Sequence, residues 1–192
     1  MANTDNAKGL VPVCMLNGSP YVAGIMEFAT DSGDGTLIGI GDPIELTGST
    51  QTINGIIYPE CGRAETGDVI AGVCVGVKPV TESSLTYRAA STQRILYVET
   101  GKDVLFEIQE VSGGTALTAA AIGLNANFVV ADASTTTGLS AVELNNATEA
   151  TTNTLDLQIV GIVNRPNNEV GEHAKWLVRI NRSQWSDQVA GV

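Results

Sequence analysis

A single histidine, His173 in "NEVGEHAKW", and three cysteines, Cys14, Cys61 and Cys74, are the residues on which nucleophilic catalysis would have to rest. A Ser-His-Asp or Cys-His mechanism needs a base within hydrogen-bond reach of its nucleophile. No cysteine or serine here stands in a strand-to-helix elbow that would expose it, and His173 reads as a loop or strand-edge residue. Carboxylates can do acid and base work without histidine, and the near pairs are Asp31 with Asp34 and Glu107 with Glu110. "TDSGDGTLIG" offers oxygen donors at Asp31, Ser32 and Asp34 but lacks the closing bidentate Glu of a calcium loop. A Gly-rich turn between strands explains the same letters. "GDGTLIGIGD" contains Gly-x-Gly twice, with no Lys and no following helix to meet a phosphate. The cysteines are odd in number and lie in no metal-ligand spacing, as buried thiols of a reducing compartment would. These residues predict no catalytic site, no cofactor and no metal.

The elements that would position such groups follow an all-β rhythm, in which short apolar runs alternate with Gly, Asn, Asp, Ser and Thr clusters. Strands are expected at 22–29, 36–40, 43–46, 56–61, 69–77, 94–99, 104–109, 128–131, 154–163 and 174–181. The best-patterned stretch is "LTYRAASTQRILYVETGKDVLFEIQE", 85–110, whose segment 94–109 reads as a hairpin of the framework. Val104, Phe106 and Ile108 share one face of their strand, as do Trp176, Val178 and Ile180 of theirs. "VIAGVCVGVKP" is apolar on both faces and should be central, with Gly72 and Gly76 marking bulges or close backbone approach. The fold class expected is therefore all-β, a β-sandwich or barrel-like core. At 192 residues the chain can bury about 70% of its unfolded surface without metals or disulfides.

Two segments depart from this rhythm. Residues 1–20 contain Gly9, Pro12, Gly18 and Pro20, which suit neither helix nor regular inner strand, yet Leu10, Val11, Val13, Met15 and Leu16 are too apolar for a solvated tail. They predict an extended N-terminal arm lying on a surface, either of its own domain or of a neighbour. In residues 111–153 charge nearly disappears and Thr, Ala, Ser and Asn dominate. The recurrence of Leu117, Leu124, Phe128, Leu139 and other apolar side chains predicts a large excursion packed against something, with one short helical turn at 140–145. The domain reading is an arm at 1–20, a single β-rich domain at 21–185 that includes the excursion, and a tail at 186–192. Trp176 belongs to the core by its alternation, which leaves Trp185 as the aromatic contact candidate.

The formal net charge of -11 with only ten Lys and Arg, and no basic cluster, excludes a nucleic-acid-binding surface. No apolar window approaches the roughly 18 residues of a membrane span, and the N-terminus carries no basic start before an apolar run. The product is expected in the cytosol where it is made unless an assembly carries it elsewhere, and there the acceptor triplet Asn146-Ala147-Thr148 would stay unglycosylated.

"ANTDNAKGLVPVCMLNGSPY", "GDPIEL", "IAGVCVGVKP", the 85–110 stretch, "GLNANF", "STTTGLSAVEL" and "LQIVGIVNRPNNEVGEHAKWLVRINRSQW" together resemble the head decoration, or cement, proteins of tailed bacteriophages. The resemblance spans nearly the whole chain; "YRAAST", "VLFEIQE" and "RPNNEVG" are its most specific parts. It departs from the family pattern at 99–103 and at Cys14 and Met15. The resemblance implies a non-enzymatic virion protein, made in the host cytoplasm and seated on the outer capsid surface. Its partners would be the major capsid protein and itself, as a homotrimer. Candidate contacts are then Leu10, Val11, Val13, Met15, Leu16, Leu117, Leu124, Phe128, Leu139 and Trp185. The alternative is a carbohydrate- or receptor-binding β module, which would need exposed aromatic side chains.

Overall fold

The computed structural model describes residues 3–192; residues 1 and 2, the first of the expected arm, lie outside the described residues. The chain is all-β. Five strands, β2 (Ile25–Thr30), β3 (Pro43–Ile53), β4 (Ile56–Arg63), β5 (Gly72–Val77) and β6 (Ile95–Glu99), close into a barrel in the order β2-β4-β3-β5-β6. A second sheet runs β1-β7-β12-β11-β8, from β1 (Val11–Met15), β7 (Val104–Gln109), β8 (Asn125–Ala126), β11 (Leu157–Ile162) and β12 (Lys175–Ile180). A short ribbon pairs β9 (Phe128–Val129) with β10 (Glu143–Leu144).

Each half has its own core. The barrel is filled by Phe28, Ile38, Ile44, Cys74, Leu96 and Val98. The sheet buries Phe106 and Ile108 of β7 beside Trp176 and Val178 of β12, and the register sets Phe106 opposite Val178 and Ile108 opposite Trp176. These apolar cross-strand pairs are the unit from which a sheet face draws its stability. The two-residue alternation read from the sequence is thus real, although the opposite face of β7 is also covered at Leu105 and Gln109.

β5 explains its own composition. Val73 enters the sheet core while Cys74 enters the barrel core, so the strand is a wall shared by both. A Cβ at Gly72 would lie 2.3 Å from the Glu99 carbonyl oxygen, and the β5–β6 register shifts between Cys74 and Gly76. Close approach and bulge both occur where the glycines predict them.

Several expectations are corrected. Segment 94–109 is no hairpin: β6 pairs with β2 and β5 in the barrel, whereas β7 pairs with β1 and β12 in the sheet. The crossover is fixed by the buried Glu99 carboxylate, which accepts bonds from the Tyr21 hydroxyl (2.5 Å) and the amides of Gly24 (2.8 Å) and Gly101 (2.8 Å). Burial, then this carboxylate, push the Tyr21 hydroxyl above its usual range.

Residues 11–15 lie on the chain's own domain, as the edge strand β1, with Leu10 N–H held by Gly41 O (2.9 Å) and Leu16 N–H by Asp103 O (2.7 Å). Residues 36–40 form only the isolated bridges Ile38–Arg88 and Ile40–Leu139. Residues 140–145 hold β10 and no helical turn; the one helical turn among the described residues is the 3-10 turn Ala119–Ala121, capped by the Thr118 side chain. The 111–153 excursion packs on its own chain, so closely that a Cβ at Gly39 would lie 2.4 Å from that of Ala133. The 186–192 tail folds back, with Val192 N–H bonded to Gly123 O (3.0 Å).

Candidate contact surfaces and polar centres

The expected contact residues divide by burial. Leu10, Leu117 and Phe128 are 1%, 2% and 0% exposed and belong to the chain's own sheet core. They cannot meet a partner; their apolarity is spent on folding, each contributing roughly 1.5 to 3 kcal/mol. Met15, Leu124 and Leu139 are half-buried. Val11, Val13, Leu16 and Trp185 remain exposed. Val11 and Val13 lie on β1, whose register against β7 shifts at Val13, and Trp185 is oriented by its Nε1–H, which donates to Ala71 O at 2.6 Å.

A further apolar surface escaped the sequence reading. β3 and β4 pair from Thr50–Pro59 to Ile53–Ile56, beyond the residues where either meets a third strand. The ribbon turns at Asn54 and Gly55, both in the left-handed region (φ 52° and 80°), and carries Ile56 and Ile57 at 56% and 69% exposure. Asn-Gly between β-branched residues is a two-residue hairpin signal and would have revealed it. The expected strands 43–46 and 56–61 leave residues 47–55 between them unassigned. Beside the tip, Ile53, Lys78, Pro79, Val80 and Arg94 line an open groove of about 500 Å³.

The calcium-like turn is closed by a side chain. Arg88, of "YRAAST", is fully buried and donates to the carbonyls of Thr36, Asp31 (2.6 Å), Asp34 (2.8 Å) and Thr92 (2.8 Å), with the Asp34 carboxylate 3.2 Å away. The guanidinium sits where converging oxygens would otherwise solicit a cation. Its planar fork suits four fixed carbonyls.

A second centre was not legible at all. Gln109, at the end of β7, points its Nε2 at Asp5 Oδ1 (2.7 Å), Glu143 Oε1 (2.6 Å) and His173 Nδ1 (3.3 Å), while its Oε1 accepts from Asn6 N–H (2.8 Å) and from Lys175 Nζ. Among the described residues, Asp5, Glu143 and His173 are the group able to hold a metal: their ligand atoms lie within 4.8 Å of one another. Desolvation raises the Glu143 pKa and lowers that of Lys175. His173 is a loop residue, as expected, with φ 59°. Only the β12 and β7 ladder, the β10 ribbon and the N-terminal segment together bring these four side chains into one place.

Two more carboxylates are buried singly. Asp42 accepts from Gly39 N–H (2.7 Å), and Asp156 from Gly67 N–H (3.1 Å); each keeps one oxygen without a hydrogen bond. Desolvation pushes both up to about 6. Cys61 and Cys74 are buried as the sequence predicts, with Cys61 pushed up to about 12 by desolvation and Cys74 also raised. Such thiols are not nucleophiles at neutral pH.

No family model matches this chain, and no curated protein matches it in sequence.

Proposed function

We propose that this chain is a structural, non-enzymatic virion protein that binds the outside of an expanded phage capsid, as a homotrimer, and bridges neighbouring major capsid subunits. The observation that carries this reading is a doubly cored β scaffold that displays apolar side chains along and just past an edge strand and at a hairpin tip: Val11, Val13 and Leu16 at the first, Ile56 and Ile57 at the second. Exposed apolar groups arranged on protruding elements mark interaction surfaces, and an edge strand offers unpaired backbone to a neighbour. The resemblance of nearly the whole sequence to head decoration proteins points the same way. A subunit that straddles a seam strengthens a shell because opening the seam must break its contacts too, and three linked copies multiply weak contacts through avidity. The acidic surface keeps unbound copies apart.

Co-sedimentation with expanded, decoration-free heads of the encoding virus, counting bound copies per capsid subunit, tests this. Saturation at a fixed ratio is expected, with none on unexpanded heads, and Ile57→Thr should lower occupancy without altering the fold. Absence of binding at micromolar protein would sink the proposal and favour the receptor-binding module, to be pursued by a glycan screen.

A further inference from the structure

The cluster around Gln109 gathers three side chains of metal-ligand type on one amide. That nitrogen carries two hydrogens, and Asp5 Oδ1, Glu143 Oε1 and His173 Nδ1 all converge on it at 2.7, 2.6 and 3.3 Å. The two carboxylates take both hydrogens, and the imidazole nitrogen stands 3.7 Å from the Asp5 oxygen. A divalent cation would serve all three at once.

We propose that Asp5, Glu143 and His173 form a binding site for a transition-metal dication of the zinc type. Two carboxylate oxygens and one imidazole nitrogen are a donor set for zinc, cobalt or nickel; calcium and magnesium take oxygen alone. Tetrahedral coordination at about 2.0–2.2 Å sets ligand atoms roughly 3.3–3.6 Å apart. Atoms already within 4.8 Å close that gap by side-chain rotation. The Asp5 side chain is 70% and that of His173 20% exposed, so the ligands are accessible from solvent. Entry of the metal displaces the Gln109 amide nitrogen; turning about its last torsion, Gln109 can present Oε1 as a fourth ligand.

Other charges face the centre. Lys175 lies against the Gln109 oxygen and opposes a cation, while Glu107, itself held by Arg165 at 2.7 and 3.1 Å, flanks Lys175. When bound, the metal ties the segment before β1, the excursion at β10 and the loop before β12 to one point, and so stabilises the fold by mass action.

Metal-stripped protein should be titrated with Zn2+ by calorimetry and thermal melting at pH 7.5, and with Co2+ by visible absorption. One equivalent bound, a melting temperature that rises with free Zn2+, and the visible bands of tetrahedral Co2+ are expected. Glu143→Gln and His173→Asn should each weaken binding at least tenfold; Asn is chosen because it tolerates the left-handed backbone, and metal-free melts of both variants verify folding. Gln109→Ala should keep the single equivalent. No binding at millimolar Zn2+, or binding that neither variant weakens, as a site at the cysteines would give, overturns the proposal.

Discussion

Arg88 and Gln109 solve the same problem with opposite means. Around each, oxygens from distant segments converge on nitrogen. At Arg88 the nitrogen is a permanent charge, sealed from water and forked onto four carbonyls. At Gln109 it is a neutral amide shared among three side chains, set beside an exposed carboxylate and a loop histidine. A guanidinium in that position cannot be exchanged, so the turn at 31–36 is finished structure. An amide can rotate away, so the second centre is left open to a competitor. Convergence of oxygens alone says little about ligand binding; what occupies the centre, and whether it can leave, decides.

Breaking the first centre should have the largest effect. Arg88→Met strands four carbonyls and the Asp34 carboxylate around an apolar chain, and a buried polar network that loses its charged partner costs about 3–5 kcal/mol; urea titration should record a loss of that size. A loss under 1 kcal/mol would mean that water replaces the guanidinium and that the two centres are alike.

Next in size come the buried carboxylates that have no such partner. The folded pKa values of Asp42 and Asp156 are raised to about 6, so their ionisation opposes folding. Their contribution to stability is fully present below about 3.8 and lost as pH rises through about 6, on the order of 2 kcal/mol each. Thermal melts should therefore show higher stability at pH 5 than at pH 7.5, and Asp42→Asn should reduce that difference. An unchanged or inverted difference contradicts the assignment.

The smallest effect is expected at the adjustable centre. Gln109→Leu removes donors from two carboxylates that Lys175 or water can reach, at a cost of about 1 kcal/mol. A loss as large as that of Arg88→Met, measured in the same titration, would abolish the distinction drawn here.

The sequence disclosed what depends on neighbours in the chain. Alternation in β7 and β12 and the two glycines of β5 report local burial and local backbone, and each is found where the letters put it. Pairing is a different matter. "RILYVETGKDVLFEIQ" has the pattern of a hairpin whether its strands meet each other or part into two sheets; the Glu99 carboxylate bonded to Tyr21 and Gly24 decides for parting, and that contact is nonlocal. The same nonlocality left open which surface residues 11–15 lie on; it is β7 of the chain's own sheet. Because Leu10 is core and β1 pairs along β7, removal of residues 2–18 would unfold the edge of the sheet, not merely trim a contact. Of the contact candidates, apolarity marked the residues but not whether their own fold or a partner would cover them. The proposed metal-binding set, Asp5, Glu143 and His173 gathered around Gln109, carries no spacing signal.

The central claim, that this chain cements a shell, is tested most directly by heating expanded heads with and without saturating protein and following the temperature at which the shells disrupt. A clear rise that tracks occupancy is predicted. Full occupancy with an unchanged disruption temperature would contradict the account and leave a protein that sits on capsids without bridging them.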